Sequence, residues 1–221
     1  MQFKILSSGS QGNAILFDDI VLLDTGISFK KLPAGIKAVL LSHIHGDHFN
    51  NTTIRKLHIS DESINFVCGE FLKEYLIEIG IPKKNIKIVD AGKQYKIAGV
   101  TFSPILLNHD VMNYGYRLLK DGHKHLHATD SYSMEGITAK NYDSVTLEAN
   151  HCIDAALKII EEKKVSGEFC HLQRAIKTHL SVQKSVQFIK DNNIKSYTPV
   201  HIGSSTRDQV ENYINNTLTI K

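Results

Sequence analysis

The sequence predicts an α/β protein with a four-layer αββα arrangement, two mixed sheets sandwiched between helices, in a single domain over residues 1–221. Three observations predict it. Short apolar runs recur as strands in the first forty residues and again through the middle of the chain. Strand and helix alternate in the last third. Polar, chemistry-bearing residues follow directly on the ends of apolar strands.

The runs QFKIL, NAILF and IVLLD are apolar or alternating and are separated by turn signals, so each reads as a strand. Between the first two lies SSGSQGN, residues 7–13, a Gly/Ser-rich turn. KAVLL is a near-continuous apolar strand, the pattern of a strand buried on both faces. Residues 52–58 read as a short helix and INFVC as a strand. EFLKEYLIEIG (70–80) reads as a helix ended by Gly80 and Pro82. NIKIVD, KQYKI and VTFSPILL are strands. YGYRLL and KHLHATD are strands joined through Lys120-Asp121-Gly122-His123, where Asp-Gly marks a hairpin turn. YDSVTLEAN is a further buried strand. Then come a helix over 153–163, a polar segment through 178, a helix over 180–191 opened by Ser181, the strand IKSYTPVHI and a last helix over 206–215.

Composition narrows the function classes. The hydrophobic fraction of 42% and charged fraction of 22% are those of an ordinary globular protein, and 221 residues suffice for one large core. A net charge of +3 permits a nucleic-acid partner without demanding one. Cys68, Cys152 and Cys170 have no CxxC spacing, which argues against a disulfide framework and a cysteine zinc site, and for a reducing compartment. MQFKILSSGS lacks the basic and apolar regions of a signal peptide. No stretch approaches the roughly 18 apolar residues of a membrane span, so no membrane partner and a cytoplasmic location are expected.

The chemistry concentrates in LSHIHGDHFN, which directly follows the KAVLL strand. His43, His45, Asp47 and His48 exceed what one tetrahedral catalytic ion uses while keeping a position open for water. The spacing points to two neighbouring ions, one favouring His43 and His45, the other Asp47 and His48. Imidazole with carboxylate suits Zn, and also Mn or Fe.

HIHGDH is the HxHxDH signature, and the chain resembles the metallo-β-lactamase superfamily through it. In that superfamily a further histidine, a bridging aspartate and a last histidine complete a dinuclear site. The resemblance assigns these to His109 in LLNHD, Asp130 in HATDS and His201 in TPVHIGSS, each at a strand end. Asp24 in LLDTG matches the superfamily's first motif, whose carboxylate orients the ligands. His123, His125 and His127 alternate on one face of a strand and read as exposed or packing residues outside the site.

Four more stretches resemble one bacterial branch, the YycJ/WalJ-type hydrolases: ILSSGSQGNA, HDVMNYGYRL, LEANH and THLS, in that order along the chain. The chain departs from that branch at Cys152, at Thr178, in the final motif and over 153–178. The resemblance implies phosphodiester hydrolysis of nucleic acid through a metal-bridging hydroxide, with exonuclease action as one form. Asp47, His179 and His151 are the catalytic candidates, the two histidines as proton donors to the leaving alkoxide. Ser8, Ser10 and Asn13 lie in a loop that either cradles a phosphate through its amides or acts as a supporting turn. Ser181 begins a helix whose first amides could meet a phosphate. Arg174, Lys177 and Lys184 flank that motif. The alternatives are hydrolysis of a small ester, lactone or thioester, which needs an oxyanion stabiliser and an acyl pocket, and hydrolysis of cyclic or short nucleotides.

Overall fold

The computed structural model describes residues 2–218. Their contacts divide them into two compact units. The first runs to Leu106 and includes Val111–His123; the second comprises Leu107–Asp110 and the described chain from Lys124 onward.

In the first unit the expected apolar runs form β1 (Phe3–Ser7), β2 (Ala14–Phe17), β3 (Val21–Leu23) and β4 (Ala38–Leu40). Every residue of β2, β3 and β4 is buried. Such strands need cover on both faces, which explains their unbroken Val, Leu and Ala content. Helix α1 (Asn51–Ser60) follows, then β5 (Asn65–Cys68), helix α2 (Glu70–Glu78) and β6 (Ile86–Ile88). The sheet order is β1-β2-β3-β4-β5-β6. The first three strands pair antiparallel across tight turns. From β3 onward pairing is parallel, and α1 and α2 supply the last two crossovers. Asn50 caps α1, its side chain accepting from the Thr53 amide at 3.0 Å. Ile54 and Leu57 of α1 and Leu72 and Leu76 of α2 join Leu16, Leu22, Val39 and Phe66 in one core. Each fully buried side chain of this kind stabilises by about 1.5–3 kcal/mol. The unit also holds β7 (Tyr95–Ile97), most of β8 (Val100–Leu107), antiparallel to it, and β9 (Asn113–Lys120). Asp121 and Gly122 both take positive φ, the turn expected of Asp-Gly.

The second unit takes β10 (His123–Ala128) from Lys124 on, then β11 (Ser144–Glu148), helices α3 (Ile153–Ser166), α4 (Leu172–Thr178) and α5 (Val182–Asn192), β12 (Tyr197–Val200) and helix α6 (Arg207–Thr217). β10 pairs parallel with β11, and β11 parallel with β12. Strands β7 to β12 belong to the second six-stranded sheet, so both sheets are mixed. Ser181 caps α5, and Val182, Val186 and Ile189 form its buried stripe. Val182 and Val186 meet Ala149 and Val210.

Two expectations need correction here. The helix placed at 153–163 runs on to Ser166 and stops at Gly167, whose φ of 73° is the left-handed turn that ends helices. The polar segment through 178 contains α4. Its apolar positions Leu172, Ala175 and Ile176 fall at i, i+3 and i+4 and pack with Ala156, Ile159 and Ile160 of α3. Five of its seven residues carry polar or charged side chains or none beyond a methyl, so composition hid that stripe. Among the described residues no helix is long and apolar enough to cross a membrane.

Candidate metal centre

In the first unit, β4 delivers the histidine loop. Leu41 continues the strand, its amide donating to Val67 O at 2.9 Å, and the buried Tyr116 hydroxyl donates to Leu41 O at 2.6 Å. The chain then turns over His43–His48, closed by the His48 and Phe49 amides on His45 O. His43 and His48 are buried, whereas His45 and Asp47 are half-buried.

Asp24 organises the two buried imidazoles. Its carboxylate accepts from the Ser42 amide at 2.8 Å, the Ser42 hydroxyl at 2.7 Å and His48 Nδ1–H at 2.6 Å. Since the Ser42 proton goes to Asp24, its oxygen accepts from His43 Nδ1–H at 2.9 Å. Both histidines are thereby held as the tautomer whose Nε2 lone pair can bind a cation. Asp24, the expected orienting carboxylate, thus bonds His48 directly and reaches His43 through Ser42, a partner the sequence reading missed.

The SSGSQGN turn and the Asp24-Thr25-Gly26 corner are laced onto this loop. The Asn13 amide donates to Asp47 O at 2.7 Å, Thr25 N to His48 O at 2.8 Å, and Gly26 N to Asn13 O at 2.9 Å. The approach is close enough that a Cβ on Gly26 would lie 1.8 Å from the Asp47 carbonyl oxygen. Asn13 Nδ2 lies 2.8 Å from His48 Nε2 and 3.3 Å from Asp47 Oδ2. Asn13 Nδ2–H therefore donates onto the His48 Nε2 lone pair, a bond that a cation at that nitrogen would replace. Of the other loop candidates, Ser8 is half-buried and Ser10 exposed.

In the second unit, three parallel strands end side by side. The register sets Ala128 beside Leu147, and Glu148 beside Val200. Asp130, Glu148 and His201 therefore emerge near one edge, where open α/β sheets place their sites. Asp130 and His201 carry φ of 55° and 52°. Such left-handed backbone costs about 1–3 kcal/mol per residue and gathers at functional sites. Asp130, Glu148, His179 and His201 each offer a ligand atom, all within 4.8 Å of one another. Asp130 and His201 keep carboxylate and imidazole donors of the kind a zinc, manganese or iron ion takes, whereas Glu148 and the Nδ1 of His179 are engaged with each other.

Glu148 is the residue that sequence reading left without a role, although it lies in the LEANH motif. It is fully buried, and all its partners are donors. Oε2 accepts from the Ser131 amide at 2.9 Å and the Leu180 amide at 3.1 Å. Oε1 accepts from His179 Nδ1–H at 2.6 Å and His201 Nδ1–H at 3.1 Å. Nε2 of His201 then faces Asp130, 3.5 Å from its Oδ1. Burial by itself would raise the Glu148 carboxyl, but its bonds to the two histidines outweigh this and hold it below its ordinary value. Burial would likewise lower His179, and the bond to Glu148 overrides it and raises the imidazole.

His109 donates Nδ1–H to the Thr178 carbonyl at 3.3 Å, at the end of α4, and Arg174 of the same helix holds Asp110 at 2.6 Å. Arg174 is thus an ion-pair partner. His151 is buried, and its Nδ1 has no hydrogen-bond partner; burial pushes this imidazole down to about 4. Of the two proton-donor candidates, His179 is the one whose imidazole is raised, and His151 the one whose imidazole is lowered. The α5 start differs from expectation, because the Val182 amide is engaged by His151 O and the Lys184 amide by Ser181 Oγ. His125 and His127 are buried on β10 and bond Ser144 and Thr146 of β11 at 2.7–3.0 Å, which makes them packing residues.

Residues 20–202 match the family model described as a beta-lactamase superfamily domain. Solved structures with a similar fold include the metallo-beta-lactamase fold protein YhfI from Bacillus subtilis, at 16% identity and a TM-score of 0.78, covering 99% of this chain and 93% of that one. Human tRNase Z, short form, has a TM-score of 0.66 at 15% identity, over 92% of this chain and 93% of that one. A diphosphatase from the PhnP family has a TM-score of 0.66 at 18% identity, over 98% and 91%. No curated protein matches the chain by sequence.

Replacing Asp24 with Ala removes the acceptor that fixes both buried tautomers, and should weaken metal affinity about 10–100-fold. Chelator competition followed by elemental analysis measures it; unchanged affinity would refute the orienting role. His151 makes stability depend on pH. Its imidazole titrates near 6.5 in the unfolded chain and near 4 when folded, so the unfolded state binds the extra proton. Stability should therefore fall as pH drops from about 6.5 towards 4, by up to roughly 3 kcal/mol from this group. Urea unfolding across that range should show a shallower decline in His151→Gln.

Proposed function

The chain belongs to the beta-lactamase superfamily, and on that footing we propose that it is a dinuclear metallohydrolase of phosphodiesters, acting on nucleic acid or nucleotides. His43, His45 and His109 would hold one ion and Asp47, His48 and His201 the other, with Asp130 as the carboxylate the resemblance assigns to both. Zinc is the favoured metal. When bound, the ions supply Lewis-acid activation of a phosphoryl oxygen and of the attacking water. The SSGSQGNA, HDVMNYGYRL, LEANH and THLS motifs support the finer placement in the YycJ/WalJ-type branch. Three free, buried cysteines suit a reducing, cytoplasmic location.

The observation that carries the reading is the buried Glu148–His179 pair. A phosphodiester leaves as a poor alkoxide and needs a proton in the transition state. Glu148 fixes His179 through Nδ1, so the proton for transfer sits on Nε2. Glu148 itself stays ionised, and its two amide donors keep it from swinging away. Asp24 and Ser42 hold His43 and His48 in the ligating tautomer. The names of two similar structures, a tRNase and a diphosphatase, agree with chemistry at phosphorus.

Asp130→Ala and His45→Ala should each abolish hydrolysis of bis(p-nitrophenyl) phosphate, while His125→Ala retains it. A panel of linear DNA and RNA, cyclic nucleotides, lactones and thioesters completes the test; turnover of lactones or thioesters without phosphodiesters would overturn the reading. His179→Ala should slow cleavage of a dinucleotide by about 10²–10⁴-fold. The same variant should lose less than about tenfold on the p-nitrophenyl ester, whose leaving group departs without a proton. Equal losses on both substrates would remove His179 from the proton-donor role.

A further inference from the structure

Beside His179 in the second unit, the start of α3, the end of α4 and the start of α5 enclose a cavity of about 150 Å³. One wall is apolar: Ile153 and Leu157 of α3 and Ile176 of α4. The other is polar: His151, Ser181 and Lys184, with His179 completing the lining. The walls differ in kind. Leu157 is 51% exposed, a large apolar side chain left open to whatever enters. His151 is 2% exposed, and its Nδ1 is buried without a partner. An unsatisfied buried ring nitrogen carries a desolvation penalty of about 1–3 kcal/mol, and the His151 ring forms part of the polar wall. Lys184 is exposed and reaches the Tyr132 carbonyl at 3.1 Å, so a cation stands at the rim. At about 150 Å³ the space is on the scale of a nucleobase and not of a whole nucleotide.

We propose that this cavity is the leaving-group subsite, which seats the ring of the departing nucleoside against Ile153, Leu157 and Ile176 while Lys184 meets the adjoining phosphate. The inference rests on the phosphodiesterase reading and names what leaves. An apolar face, a hydrogen-bonding edge and a cationic rim together match a nucleoside that carries a phosphate, and match neither a bare sugar phosphate nor a long acyl chain. The alcohol oxygen released in cleavage then lies on the side of the cavity that His179 lines. Tight fit around one ring also selects for a nucleoside unit on that side of the scissile bond.

The test is equilibrium binding to the purified holoenzyme, by calorimetry, of adenosine, adenosine 5′-monophosphate and ribose 5-phosphate. Leu157 is exposed, so Leu157→Asp leaves the core intact while placing a charge in the apolar wall. The dissociation constants of adenosine and of the monophosphate should each rise about tenfold or more in Leu157→Asp. Lys184→Ala should weaken the monophosphate several-fold and leave adenosine unchanged. Ribose 5-phosphate should bind more weakly than the monophosphate and be insensitive to Leu157→Asp. Adenosine that fails to bind the wild type, or binds Leu157→Asp equally well, overturns the subsite. Nucleoside binding that follows this pattern in an enzyme that turns over no phosphodiester leaves the subsite standing and removes the reaction assigned to it.

Discussion

A buried carboxylate with four donors holds the second unit's chemistry together. Glu148 lies at the end of β11 and is reached by the Ser131 and Leu180 amides and by the rings of His179 and His201. An isolated carboxylate in that position would be destabilising by several kcal/mol. Four hydrogen bonds reverse the balance, and together they tie three segments to the same point. The tip of β10, the α4–α5 junction and the end of β12 therefore have one permitted arrangement, because any shift leaves a buried charge without a partner.

The first unit solves the same problem with other parts. Asp24 takes the place of Glu148, and its donors are a serine amide, a serine hydroxyl and an imidazole. In both units a carboxylate binds Nδ1 of a histidine and leaves Nε2 outward. The pairing fixes orientation and protonation together, since an ionised carboxylate accepts only and must be met by N–H. It also explains the glycine at position 26: no side chain fits where the corner of Asp24 presses against the Asp47 carbonyl. Backbone contacts of this closeness make the His43–His48 loop rigid before any cation arrives.

Histidine count and histidine position single out different residues. His123, His125 and His127 crowd one strand, and the two at the inner end are buried against β11. Their period of two puts them on a sheet face. His109 and His201 stand alone in sequence, but each follows the last residue of a strand or stands one residue beyond it. Strand tips are where a sheet can present side chains without breaking its ladder. The overlooked helix α4 teaches the converse. It carries a short apolar stripe on a polar chain, yet it supplies the carbonyl that orients His109 and the arginine that holds Asp110.

By itself the sequence determined the fold class and most of the strand and helix order, helix α4 excepted, because apolar period and motif spacing are local properties. It also marked Asp24 and the two glycine-bearing loops as part of the machinery. Only the tertiary structure decided that Glu148 gathers four donors, that the His179 imidazole is raised and the His151 imidazole lowered, and that Asn13 meets His48 and Asp47. Those outcomes depend on burial and on which donors converge on one oxygen, and residues 31 and 53 positions away supply two of the donors to Glu148. No pattern along the chain encodes that convergence; it exists once the strands end side by side.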